Sequence, residues 1–183
     1  IYREQFGTNT RIPCPLLYVS PTQVNFQMNS SQNGLYVIYS ENASGEMYST
    51  FVNVGPVAPD IFSINSTGTD YAAITIQRND NGTVYEAPIL QWVNNRWVPD
   101  PIKLTSQTYL LFYATGARNE INLTASYAIL DGKTILPLTY AGPQGQYVGL
   151  DQIAVQVPTN TQGTHTIQFN LNGWWSNTTI IAF

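Results

Sequence analysis

The chain has 183 residues, long enough for one large β domain or two small ones, and only 10% of them are charged. A formal net charge of -4, with seven Lys and Arg scattered singly, supplies no field to hold phosphates and argues against a nucleic-acid partner. No apolar run approaches the roughly 18 residues of a membrane helix, so no membrane span is expected; the best stretch, 109–114, is strand-sized.

Tyr, Thr, Val, Ile and Phe are abundant and turn residues recur throughout, which is an all-β composition. The chain begins at Ile1 with no Met and no charged-then-apolar leader, which leads us to expect a processed, secreted protein. Cys14 is the single cysteine and can form no intrachain disulfide; it is expected as a small buried hydrophobe, with an intermolecular bridge as the alternative.

In chain order, Asn33-Gly34, Ser44-Gly45, Asn81-Gly82, Asp131-Gly132 and Asn172-Gly173 suit hairpin positions that need positive φ. Between them the clearest predicted strands are "GLYVIYS" (34–40), "MYSTFVNV" (47–54), "YAAITIQ" (71–77), "TYLLFYA" (108–114), "TIQFNL" (166–171) and "TTIIAF" (178–183). Apolar residues nowhere recur with helical spacing, so little or no helix is expected.

The end of the chain repeats its beginning. "PLLY" at 15–18 matches "PLTY" at 137–140, and Gln23, Val24, Phe26, Gln27 and Met28 match Gln152, Ile153, Val155, Gln156 and Val157. Both copies continue to a Gly (Gly34, Gly163), a strand, a Gly-containing hairpin (Gly45, Gly173) and a last strand, which implies two domains of one kind. The copies are unequal upstream, with about eighty residues before "PLTY" and fourteen before "PLLY". We therefore expect an N-terminal arm at 1–12, an incomplete unit at 13–58 and a complete one at 59–183. If both are Greek-key sandwiches, the first lacks strands and exposes unpaired edges.

"CPLLYVSPTQVNFQM", "VAPDIFSI", "YLLFYATGARN", "LTYAGPQGQYVGLDQIAVQVP" and "NGWWSNTTIIAF" together resemble the Ig-like C-terminal domain family of secreted proteins of Solibacter and other Acidobacteria. That family carries an "LLYVSPTQINFQVP" strand, an "APGIF" link, an "IYATGLG" strand and a "GG..SN" ending. The resemblance spans 13–183 and implies two tandem Ig-like β-sandwich units in an extracellular or cell-surface setting. It carries no catalytic residues to transfer. The chain departs from the pattern in the strands missing before "LLYVSPTQ" and in Trp174 and Trp175 at the last hairpin.

Catalytic chemistry finds little support. The sole histidine, His165, lies in a predicted strand, no G-x-S-x-G elbow exists, and the carboxylates are isolated along the chain. "RNDNGTVYE" (78–86) has the oxygen content of a calcium loop without its ligand spacing, and one Cys with one His cannot make a zinc site. No enzyme, cofactor or metal is expected. Six N-x-S/T acceptors, Asn29, Asn42, Asn65, Asn81, Asn122 and Asn177, are candidate glycosylation sites. Trp92, Trp97, Trp174 and Trp175 could stack on sugar rings or fill a core or an interface.

The leading expectation is an extracellular structural protein that self-associates into a surface filament, its first sandwich completed by a strand from another subunit. The arm, in which Tyr2, Glu4 and Phe6 alternate, is the expected donor, and Tyr2, Phe6, Trp174 and Trp175 are candidate inter-subunit contacts. The alternative is an Ig-like adhesion module that recognises glycan or a surface protein through Trp-bearing loops.

Overall fold

The computed structural model describes residues 1–28, 32–80, 83–88, 90–100, 104–120 and 122–183, with main chain alone at 79–80, 83–88 and 99. The predicted turns at Asn81-Gly82 and the sequons Asn29 and Asn81 therefore lie outside the described residues. The protein is all-β, with one 3₁₀ turn, Leu123–Ala125, among the described residues. It divides into two compact units, Ile1–Pro56 and Val57–Phe183.

The first unit contains β1 (Tyr2–Gln5), β2 (Arg11–Pro13), β3 (Leu16–Val19), β4 (Val24–Phe26), β5 (Gly34–Glu41) and β6 (Met47–Val54). One antiparallel sheet has the order β2-β1-β5-β6, and β3 pairs β4 in a separate two-stranded sheet. Strands β5 and β6 fall where alternation predicts them, joined by a tight turn with Gly45 at a φ of 79°. Asn33-Gly34 is not a hairpin tip: Gly34 is the first residue of β5 and pairs with Val54.

The second unit contains β7 (Asp60–Ile61), β8 (Ile74–Asp80), β9 (Thr83–Pro88), β10 (Leu90–Val93), β11 (Arg96–Pro99), β12 (Thr108–Thr115), β13 (Tyr127–Leu130), β14 (Thr134–Pro143), β15 (Asp151–Val155), β16 (Thr164–Leu171), β17 (Trp174–Trp175) and β18 (Thr179–Ala182). Strand β14 belongs to two layers. Its first half pairs β13 and its second half pairs β15, so the sheet curls through β14 and closes over its own core as a sandwich. Phe112 of β12 and Phe169 of β16, both fully buried, meet edge to face across that core at 4.9 Å. Asp131-Gly132 and Asn172-Gly173 turn at positive φ as predicted, and Asn94-Asn95 makes an equivalent turn between β10 and β11 at 49° and 60°.

The arm has a place in the repeat, contrary to the expectation from sequence. Arg3 of β1 lies between Ile12 of β2 and Ile38 of β5. Leu130 of β13 lies in the same way between Thr134 of β14 and Ile167 of β16. Thus β1 is the counterpart of β13, and β2 followed by β3 is the counterpart of the single bent strand β14. The main-chain groups of β1 are committed on both sides within its own unit. It can act as a donor to another chain only by leaving that sheet.

Candidate assembly surface on the first unit

The repeated strand pair gives an internal comparison. In the first unit Leu16 faces Phe26, Tyr18 faces Asn25 and Val19 faces Val24, with a bulge between Leu16 and Tyr18. In the second unit Leu138 faces Val155, Tyr140 faces Ala154 and Ala141 faces Ile153, with a bulge between Leu138 and Tyr140. Register and bulge coincide, so the two hairpins are the same device.

Their surroundings differ. Strand β15 is flanked on its far edge by β12, where Leu110 pairs Val155 and Phe112 pairs Ile153. Strand β4 has no partner on that edge among the described residues. Leu138, Ile153 and Val155 are accordingly 7%, 0% and 0% exposed, whereas Leu16 and Val24 are 52% and 39% exposed. Leu17, Tyr18 and Val19 stand in solvent as well. The hairpin thus leaves five apolar side chains about half exposed, an apolar patch of the kind that marks an interaction surface.

The interior side of the first unit is thin. Tyr36, Ile38 and Cys14 are buried, Cys14 where Leu136 stands in the second unit, and burial pushes the Cys14 thiol up against the opposing pull of Arg3. Arg3 occupies the position of the buried Leu130 and holds its guanidinium 5.9 Å from the Tyr36 ring centre. The first unit thus has a charge where the second has a buried leucine. On the opposite face Phe6 packs on Phe51 at 6.0 Å, both exposed, and Arg11 lies over Tyr39 at 4.1 Å.

Of the expected contact residues, Tyr2 is half-buried between Pro13 and Tyr39, and Phe6 is exposed. Trp174 and Trp175 are half-exposed, Trp175 standing edge-on to Tyr127 at 5.8 Å. Trp92 is exposed and Trp97 half-buried, the pair meeting across β10 and β11 at 5.1 Å. The aromatic and sulfur side chains of β6, Met47, Tyr48 and Phe51, are exposed too. Sequence reading passed over them because alternation alone does not say that a face lacks a partner.

The sequons divide by geometry. Asn42, Asn65 and Asn122 are exposed in turns. Asn177 spends its whole amide: its Nδ2 donates to the carbonyls of Gly68 at 2.6 Å and Ile61 at 2.9 Å, and its Oδ1 accepts the Ile61 N–H at 2.7 Å. A glycan on that nitrogen would displace at least one of these bonds.

Two ionic groups are built into the second unit. Asp151, buried, accepts the N–H groups of Ala117 and Arg118 and pairs with the Arg118 guanidinium at 2.7 Å. His165 Nδ1 lies 2.7 Å from Asp131, and its Nε2 lies 3.0 Å from the Gln162 carbonyl. Both ring nitrogens face oxygens, so the imidazolium is favoured: the bond to Asp131 raises the His165 pKa, outweighing burial, and the Gln162 carbonyl adds to it. The same bond, with the Thr166 N–H, lowers that of Asp131. An imidazole so engaged presents no lone pair to a nucleophile. Among the described residues no group of three or more His, Cys, Asp or Glu is placed to hold a metal ion, and no helix is long and apolar enough to cross a membrane.

A scan against protein-family models, a search of curated proteins and a search of solved structures each return no match to this chain.

Proposed function

We propose that the chain is a non-enzymatic extracellular structural protein, a subunit of a surface filament or assembly that grows by β-strand addition between subunits. In this reading it comprises two Ig-like sandwich units, the first completed by a strand from a neighbour. One observation carries it: a strand pair of identical register and bulge is sealed by β12 in the second unit and bare in the first. The incoming strand takes the place that β12 takes beside β15. With β1 held between β2 and β5, the arm is not that strand.

Magnitudes set what the contact must contain. Leu16, Leu17, Tyr18, Val19 and Val24 are 39% to 61% exposed, and burying the rest of each contributes about 1 kcal/mol. Their sum, about 5 kcal/mol, lies at the low end of the roughly 4 to 15 kcal/mol that association costs in lost motion. Apolar contact on this hairpin alone therefore does not hold a neighbour. A main-chain ladder along β4 and burial on the incoming strand must add to it. The exposed sequons, the low charge and the resemblance to a family of secreted proteins support the extracellular setting.

Light scattering of the wild-type chain beside Val24→Asp tests the reading. Val24 is already exposed, so the variant folds; it is expected to lose polymers, and polymers that grow unchanged overturn the proposal.

The exposure of Trp92, Trp174 and Trp175, 56%, 47% and 49%, favours a second reading, an adhesion module that stacks sugars on indoles. In that case the chain stays monomeric, and Trp174→Ala with Trp175→Ala removes its retention on a glycan column.

A further inference from the structure

Several edge strands of the chain are blunted in the ways proteins use against unwanted pairing. Strand β2 carries Arg11 and Pro13, β11 carries Arg96, and β17 is two residues long. Strand β6, "MYSTFVNV", is eight residues long, has no charge and no proline, and pairs with β5 through eight successive residues without a bulge. Its far edge has no partner among the described residues. Met47, Tyr48 and Phe51 are 43%, 64% and 63% exposed. A long, unbulged, neutral edge of this kind is a template for a further strand.

Which main-chain groups are open follows from the ladder. The Asn42 N–H donates to the Glu46 carbonyl, so Asn42 faces Glu46 in a hydrogen-bonded pair. Bonded and non-bonded pairs alternate in an antiparallel ladder, which makes Ser40–Tyr48, Ile38–Thr50, Tyr36–Val52 and Gly34–Val54 the bonded ones. The N–H and C=O groups of Met47, Ser49, Phe51 and Asn53 therefore point away from β5, toward the open edge.

We propose that β6 pairs with β6 of a second copy, antiparallel about a twofold axis, joining the two four-stranded sheets into one of eight strands. This deepens the strand-addition reading and rests on it, by giving the assembly a second contact besides the β4 edge. The occupant is a second copy because the strand is its own complement. Outward-facing groups fall on alternate residues, so the registers allowed include Phe51 opposite its own equivalent and Ser49 opposite Phe51. Neither register sets like charges together, since the strand has none. Either one continues the exposed face formed by Phe6 and Phe51 across the axis into the second copy. The β6 contact is isologous and stops at two copies, whereas the β4 contact is heterologous and propagates.

Ser49→Pro is the discriminating variant. Its N–H points to the open edge, so proline there removes no bond to β5 but blocks the incoming strand. Sedimentation of wild type, Ser49→Pro, Phe51→Lys and Val24→Asp over a range of concentrations is the experiment. Val24→Asp is expected to stop at dimers and wild type to extend beyond them, with the β6 contact dissociating at least tenfold more easily in Ser49→Pro and Phe51→Lys and circular dichroism unchanged in Phe51→Lys. Dimers that persist in both β6 variants, or a wild-type chain that stays monomeric, overturn the proposal. Dimers lost in the β6 variants while no species larger than a dimer forms in wild type uphold the β6 contact and remove the propagating one at β4.

Discussion

Gly116 follows β12 with a φ of 72°, and a Cβ there would overlap the carbonyl oxygen of Ala58, a residue whose N–H donates to the Gly116 carbonyl at 2.9 Å. Gly116→Ala meets both an unfavourable backbone conformation and a steric clash. It is expected to cost about 3 kcal/mol, read as a lower urea midpoint for the second unit. Asn177→Ala leaves the Ile61 N–H and C=O and the Gly68 carbonyl without their partner, at a cost of about 2 kcal/mol. If the chain is glycosylated, peptide mass spectrometry should find sugar at Asn42, Asn65 or Asn122 and none at Asn177. The Asp131–His165 pair makes stability depend on pH. The raised His165 pKa contributes fully below its ordinary value of 6.5, and that contribution is lost as pH rises through the folded value above it. The lowered Asp131 pKa contributes above 3.8 and is lost as pH falls through the folded value below it. The melting difference between wild type and His165→Gln is therefore expected to be largest between about 4 and 6.5 and to shrink on either side. A difference that does not change with pH would show the pair to be inert.

At the scale of the strand, one sequence device behaves in two ways because its neighbours differ. Ile153→Asp buries an unpaired charge at a fully closed position and is expected to cost at least about 4 kcal/mol, unfolding the second unit. Val24→Asp, the same change at the matching position, is expected to move the melting temperature of the unassembled chain little. Circular dichroism melts of the two variants side by side measure the contrast. The repeat was legible in sequence where apolar residues recur at the same spacing in both copies: the match of Val24 to Ile153 and of Phe26 to Val155 is the register found in the ladders. Strands β5, β6, β12 and β16 were legible for the same reason, and so were the turns in which Asp131 and Asn172 take positive φ. The counterpart of β13 was not. Tyr2 and Arg3 share no side-chain pattern with Ile129 and Leu130, and main-chain pairing, which leaves no mark on residue type, is what places them alike. Asn177 was read as a surface sequon because its motif says nothing of what its amide touches.

At the scale of the molecule, the two units differ in what each leaves exposed. The second hides its repeated pair beneath β12 and closes its sheet through β14; the first leaves that pair and the edge of β6 in solvent. A heterologous contact at β4 repeats from copy to copy, and an isologous one at β6 joins two such rows, so the assembly expected is a paired filament. The central claim is that a strand of another chain lies along β4. The Gln27 N–H donates to the Pro15 carbonyl, so by alternation the Val24 and Phe26 N–H groups point to the open side, where the added strand would accept them. Residue-resolved hydrogen exchange of those two amides, in assembled material and in the dispersed chain, is the most direct measurement. Both are expected to exchange freely when dispersed and to become protected by at least a hundredfold on assembly; equal exchange in the two states would contradict the account.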